Sequence, residues 1–156
     1  MWGDNMGLLN LASSASAWRG YEYYKDGSVL LKKKITDHEY SGTLRGSGNK
    51  HYDVFIDIEH PRKSHCNCLH ANGKRIICKH QVALYFSVFP KEADQYYKEV
   101  IEYEEEEERR QEELDKKVVT YINSLSKEEL RQTLYEVLYD GADWVFERFV
   151  REHIDY

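Results

Sequence analysis

No apolar run in the 156-residue chain approaches the roughly 18 uninterrupted positions that a spanning helix needs, so a membrane-spanning segment is not expected. The basic start and apolar stretch of a secretory signal are missing as well. Asp4 comes early, and Ser13, Ser14 and Ser16 break the apolar stretch of Met1 to Ala17, so a cytoplasmic location is the expectation. There are only three cysteines, an odd number for a disulfide framework, and all three fall within thirteen residues beside histidines. That clustering favours metal over disulfide. The chain has no phosphate-binding glycine loop, no serine nucleophile elbow and no HExxH helix. Asp57 and Glu59-His60 place carboxylates beside a histidine, but such groups usually close a strand, and no catalysis is expected. No internal repeat is visible.

What is there begins with charge. From Trp18 to Pro90 there are 12 Lys and Arg against 7 Asp and Glu, a balance of +5. From Lys91 to Tyr156 there are 10 against 20, a balance of −10. A mildly basic half therefore precedes a strongly acidic one.

The basic half reads as strands. Trp18, Tyr21 and Tyr24 sit at helical spacing and predict a short leading helix, which Asp26-Gly27 would end in a turn. A β-prone run follows from Ser28 to Ile35, and a second from Glu39 to Arg45. Gly46-Ser47-Gly48-Asn49 is a turn, and from Tyr52 to Ile58 the residues Tyr52, Val54, Ile56 and Ile58 alternate with Asp53, Phe55 and Asp57. Two or three antiparallel strands are expected.

Beyond Lys91 the period becomes helical. Tyr96, Tyr97, Val100, Ile101 and Tyr103 share one side of a helix. The run Glu104 to Glu108 has the composition of a disordered tract. Yet Glu105 and Arg109, Glu106 and Arg110, Glu112 and Lys116, and Glu113 and Lys117 stand four apart with the acid first, which favours a solvated helix continuing to Leu114, Val118 and Ile122. Ser126-Lys127-Glu128-Glu129 is a capping box that starts another helix through Leu130, Leu134, Val137 and Leu138. Asp140-Gly141 ends it, and Asp143 to Ile154 forms a last amphipathic helix through Phe146, Phe149 and Val150. The expected organisation is an N-terminal segment over 1–17, a metal-stapled domain over 18–90 and an acidic helical tail over 91–156. The fold class is α+β.

The chemistry lies in Cys66-Asn67-Cys68, nine intervening residues, and Cys78-Lys79-His80. Two close pairs of soft ligands can converge on one tetrahedral zinc ion, because each pair fixes two vertices and the loop Leu69 to Ile77, with Asn72-Gly73 as a tight turn, lets the chain return. Cys66, Cys68, Cys78 and His80 would fill the coordination sphere and leave no position for water or substrate, which marks a structural ion. His65 and His70 compete for the fourth position. Binding such an ion contributes on the order of 10 kcal/mol to folding.

This pattern resembles the SWIM zinc finger, whose signature is Cys-x-Cys, a variable loop and Cys-x-His. The surroundings resemble bacterial SWIM proteins too: Arg19-Gly20, Tyr23-Tyr24, Arg45-Gly46-Ser47-Gly48 and Cys78-Lys79-His80-Gln81-Val82-Ala83-Leu84. The likeness spans about Trp18 to Phe89. It implies a small sheet-plus-helix finger, with the first ligand pair after a strand and the second at the start of a helix. That helix would run from Lys79 to Ser87, turn Val82, Ala83 and Phe86 toward the sheet, and end at Pro90. Members occur in Swi/Snf-type ATPases, plant transposases and a kinase, and are proposed to bind DNA or proteins.

Two kinds of partner are expected on these grounds. Lys32, Lys33, Lys34, Arg45, Lys74, Arg75 and Lys79, interleaved with aromatics, could contact phosphates of a nucleic acid, DNA before RNA; alternating lysines also simply keep edge strands soluble. Tyr96, Tyr97, Tyr103, Trp144 and Phe146 could contact a protein partner or pack as core. The charge split adds a third reading, in which the acidic tail masks the basic finger from DNA.

Overall fold

The computed structural model describes residues 7–154; the first six residues of the N-terminal segment and residues 155–156 of the tail lie outside the described residues. The chain is α+β. In order come helix α1 (Gly7–Asn10), α2 (Ser14–Lys25), strands β1 (Val29–Lys34), β2 (Glu39–Arg45) and β3 (His51–Asp57), a 3-10 turn (Pro61–Lys63), strand β4 (His65–Cys66), and helices α3 (Lys79–Val88), α4 (Pro90–Ser124), α5 (Lys127–Tyr139) and α6 (Asp143–His153). The chain divides into one unit through Val100 and another from Ile101 onward.

In the first unit the strands form one antiparallel sheet in the order β1-β2-β3-β4. The expectation of two or three strands is corrected here. The two residues of β4 are too few to carry a periodic signal and are strand only because Val54 and Phe55 of β3 pair with Cys66 and His65. The turns lie where glycine and asparagine were read. Gly27, Gly48 and Asn49 all have positive φ, which a residue without Cβ, or asparagine, adopts most readily.

One face of the sheet is the core. Leu44, Val54 and Ile56 are buried in one core with α3, whose Leu84 lies over Gly42 of β2, whereas Val82 and Phe86, expected to face the sheet, meet Gly20 and Tyr21 of α2. Helix α2 packs in turn on α3. The approach is close because a Cβ on Gly20 would collide with the side chain of Val82 and lie 2.9 Å from the Lys79 carbonyl oxygen. Tyr21 stacks on Tyr97 with centroids 5.3 Å apart and planes inclined by 12°.

Pro90 does more than end α3: Phe89 is the C-cap of α3, and Pro90 is the first residue of α4. A proline fits there because the first helical amide has no intrahelical partner to lose. The first unit extends past Pro90 because Ala93, Tyr96 and Val100 pack into the same core.

The acidic run is helical throughout. Lys116 pairs with Glu112 at 3.8 Å, while Arg110 turns to Glu107 at 2.9 Å rather than to Glu106. In the second unit the capping box forms as read: the Glu129 amide donates to Ser126 Oγ at 3.3 Å and the Ser126 amide donates to Glu129 Oε2 at 2.7 Å. Tyr139 and Phe146 join α5 to α6, with centroids 5.4 Å apart. Among the described residues no helix is long and apolar enough to cross a membrane.

Candidate metal centre

Cys66 sits in β4 and so is fixed by the β3 ladder, one residue earlier than an arrangement with both ligands after the strand. Asn67, between the two cysteines, clamps the pair: its side-chain oxygen accepts from the Asp53 amide at 3.0 Å and its own amide donates to the Asp53 carbonyl at 3.3 Å. Cys68 then opens a tight turn, with the amides of Ala71 and Asn72 both donating to its carbonyl. Gly73 takes φ 70° and returns the chain, and Ile77 bridges to Ala12 just before the second pair.

Cys78 is the N-cap of α3. Its amide donates to Gln81 Oε1 at 2.8 Å, and its sulfur takes the role that a serine oxygen plays in an ordinary capping box. Placing Cys78 at the cap and His80 in the first turn aims both inward.

The four donor atoms of Cys66, Cys68, Cys78 and His80 lie within 4.8 Å of one another, and all four residues are buried. His80 Nδ1 is 3.7 Å from Cys66 Sγ and 3.8 Å from Cys78 Sγ. Three soft thiol ligands and one imidazole, buried and converging at these separations, are the donor set of a structural zinc site with all four positions filled by protein. These residues are positioned to bind one zinc ion.

Cys66 and Cys78 are coupled through a hydrogen bond between their sulfurs. Cys78 is held well below the usual thiol range, at about 4, chiefly by the hydrogen bond it shares with Cys66, with help from His80 and the Gln81 amide at the helix N-terminus against the opposing effect of burial. Cys66 is pushed up by keeping that shared proton and by burial.

The neighbouring rings fix His80. Tyr52 stacks on the imidazole, and Tyr23 meets it edge-on at 5.5 Å. Neither tyrosine, nor Asn67 or Gln81, was singled out from sequence as part of the site. The Cys-x-x-Gln spacing of a capping box was a signal that could have found Gln81. The competitors His65 and His70 are both exposed and outside the four-donor group, and His65 stacks on Phe55 at 4.9 Å.

The basic residues read as phosphate contacts differ in what they touch within the chain. Lys32 Nζ donates to the Ser87 carbonyl at 2.5 Å, near the C-terminus of α3, Lys34 pairs with Asp37 at 2.7 Å, and Lys79 donates to Tyr23 Oη at 2.8 Å while lying over its ring. Lys33 instead reaches the outer sheet face, which borders a cavity of about 750 Å³ lined by Leu31, Thr43, Phe55 and His65 among others. Arg45, Lys74 and Arg75 are exposed.

Asp57 faces the His60 imidazole, its Oδ2 lying 3.4 Å from His60 Nδ1. It is buried, and its Oδ1 accepts the amides of Glu59 at 3.0 Å and His60 at 2.8 Å, closing the turn after β3.

Residues 52–89 match the family model of the SWIM zinc finger, a segment that contains all four ligands and the helix following them. No curated protein matches the chain, and neither does any solved structure.

Proposed function

We propose that the protein is a non-enzymatic adaptor, in which a zinc-stapled finger supplies a stable platform and the C-terminal helices dock on a protein partner. The observation that carries this reading is the exposure of apolar side chains from Ile101 onward. In that unit Leu138 is the one buried hydrophobic among the described residues. Leu114, Val118 and Ile122 on α4, Leu130 and Leu134 on α5 and Trp144 on α6 are all at least 40% exposed. Helices gain most of their stability in water by burying such a face, and an exposed apolar stripe rimmed by charge marks an interaction surface. The stripe suits a groove, and the glutamates at 104–108 suit a basic rim on it. A zinc site with four protein ligands supports a structural ion.

The test compares affinity capture by the full chain and by a Val118→Asp/Ile122→Asp variant of equal zinc content and helicity. Loss of one and the same partner from the variant supports the reading. An identical partner set for both chains rejects it, as does self-association in sedimentation that accounts for the stripe.

A second reading is favoured by Lys33, Arg45, Lys74 and Arg75, which make no ion pair among the described residues. Their charges remain available to phosphates. Titration with DNA at two salt concentrations tests it: affinity that falls steeply with salt supports nucleic-acid binding, and its absence at low salt rejects it. Truncation from Ile101 onward spares Ala93 and Tyr96 and tests the masking version, which unchanged DNA affinity rejects.

A further inference from the structure

Outside the thiolate site, one other group of ligating side chains among the described residues is close enough to share an ion. The donor atoms of His38, Glu39 and Asp57 all lie within 4.8 Å of one another. Strand register brings them together. Glu39 opens β2 and Asp57 closes β3, and the two are direct partners in the antiparallel ladder, so their carboxylates project from the same face. The His38 carbonyl accepts from the Ile58 amide at 2.9 Å, which ties the residue before Glu39 to the residue after Asp57.

This placement is costly without a cation. Like charges directly opposite each other destabilise a strand pair, and Asp57 is only 1% exposed, where an uncompensated charge costs most. The compensation present is two backbone amides on Asp57 Oδ1, the His60 imidazole at 3.4 Å from its Oδ2, and the Thr36 hydroxyl at 3.2 Å from Glu39 Oε2. Glu59 Oε2 stands 3.5 Å from His38 Nδ1. Among the described residues no lysine or arginine pairs with Glu39, Asp57 or Glu59.

We propose that His38, Glu39 and Asp57 form a second divalent-metal site, separate from the finger, that takes a transition ion of the zinc class. Imidazole nitrogen beside two carboxylates suits zinc, nickel or copper, whereas magnesium and calcium prefer oxygen alone. Glu59 and His60 orient the ligands from outside, one facing His38 and the other Asp57. Three protein ligands leave a vertex open to water or to a group from a bound molecule, in contrast to the closed set at the cysteines.

The experiment is zinc binding by the untagged full chain at equilibrium with buffered free zinc, with thiolate-held metal measured separately as the zinc released by a mercurial reagent. The expected result is zinc beyond the mercurial-released amount, one further ion per chain. His38→Ala and Glu39→Gln should each weaken that further ion by about tenfold or more while leaving the mercurial-released zinc unchanged. Both side chains are partly exposed, so the variants keep the fold, which circular dichroism checks. Saturation at the mercurial-released amount overturns the proposal, as does a further ion that both variants hold as tightly as the native chain. Because the two metals are counted apart, failure of the finger and failure of this site give different results.

Discussion

Tyr52 lies face to face with His80, the ring centroids 4.3 Å apart and the planes inclined by 27°. A strand residue thus holds a ligand that α3 provides, coupling the sheet to the metal centre. Tyr52→Ala should destabilise the finger by about 2 kcal/mol, less than a fully buried aromatic would cost because Tyr52 is half-buried. It should also speed zinc loss to a chelator. Tyr52→Phe keeps the stack and should behave as the native chain in both assays.

Cys78→Ser should remove zinc and the folded finger together. Serine can still cap α3 but does not supply the thiolate ligand, and the metal it would forfeit contributes on the order of 10 kcal/mol. Metal content per chain on protein purified without added metal, read beside circular dichroism, checks this. A well-folded, metal-free native protein would contradict the zinc assignment.

Gly20→Ala sets two effects of opposite sign against each other. Alanine favours a helix over glycine by about 1 kcal/mol, while a Cβ forced against Val82 and the Lys79 backbone costs about 1–3 kcal/mol. The backbone cannot swing aside as a flexible side chain would, so the net effect should be a lower Tm.

Lys32 and Lys33 are neighbours with different roles. Lys32→Ala should cost about 1 kcal/mol, because its ammonium neutralises the negative end of α3 at the Ser87 carbonyl. Lys33→Ala should leave stability unchanged, and any loss of nucleic-acid affinity should belong to it. Denaturant midpoints and DNA titrations of the two variants separate the roles.

Glu129 is held below the usual carboxylate range, first by the hydrogen bond with the Ser126 side chain and then by the Ser126 amide. A depressed folded pKa means that the contribution of the cap is present above the unfolded pKa and is lost as pH falls through the folded value. NMR titration should therefore find Glu129 more acidic than a free glutamate, with the start of α5 loosening on acidification. Ser126→Ala should return it toward the ordinary range.

The zinc site was legible because its ligands are local in sequence. Cys66, Cys68, Cys78 and His80 announce themselves by spacing, and the turns around Gly27, Gly48 and Gly73 by residue type. What surrounds those ligands was not legible. Asn67, Tyr52 and Tyr23 matter through contacts with residues distant in sequence, and nothing in their local pattern reports that. Asp57 illustrates the same limit: alternation placed it on the polar side of β3, yet the turn it caps buries it.

The sequence alone therefore determined the local structure: where helices start, where the chain turns, which side chains suit zinc. These follow from backbone sterics, hydrogen bonding over three or four residues and ligand chemistry, all of which act within a short stretch of chain. Only the tertiary structure decided that His65-Cys66 is a strand, that Lys32 serves a helix end, that Glu39 faces Asp57, and that the apolar stripe of α4 stands exposed. Each of those depends on strand register or burial, which arise when segments distant in sequence meet.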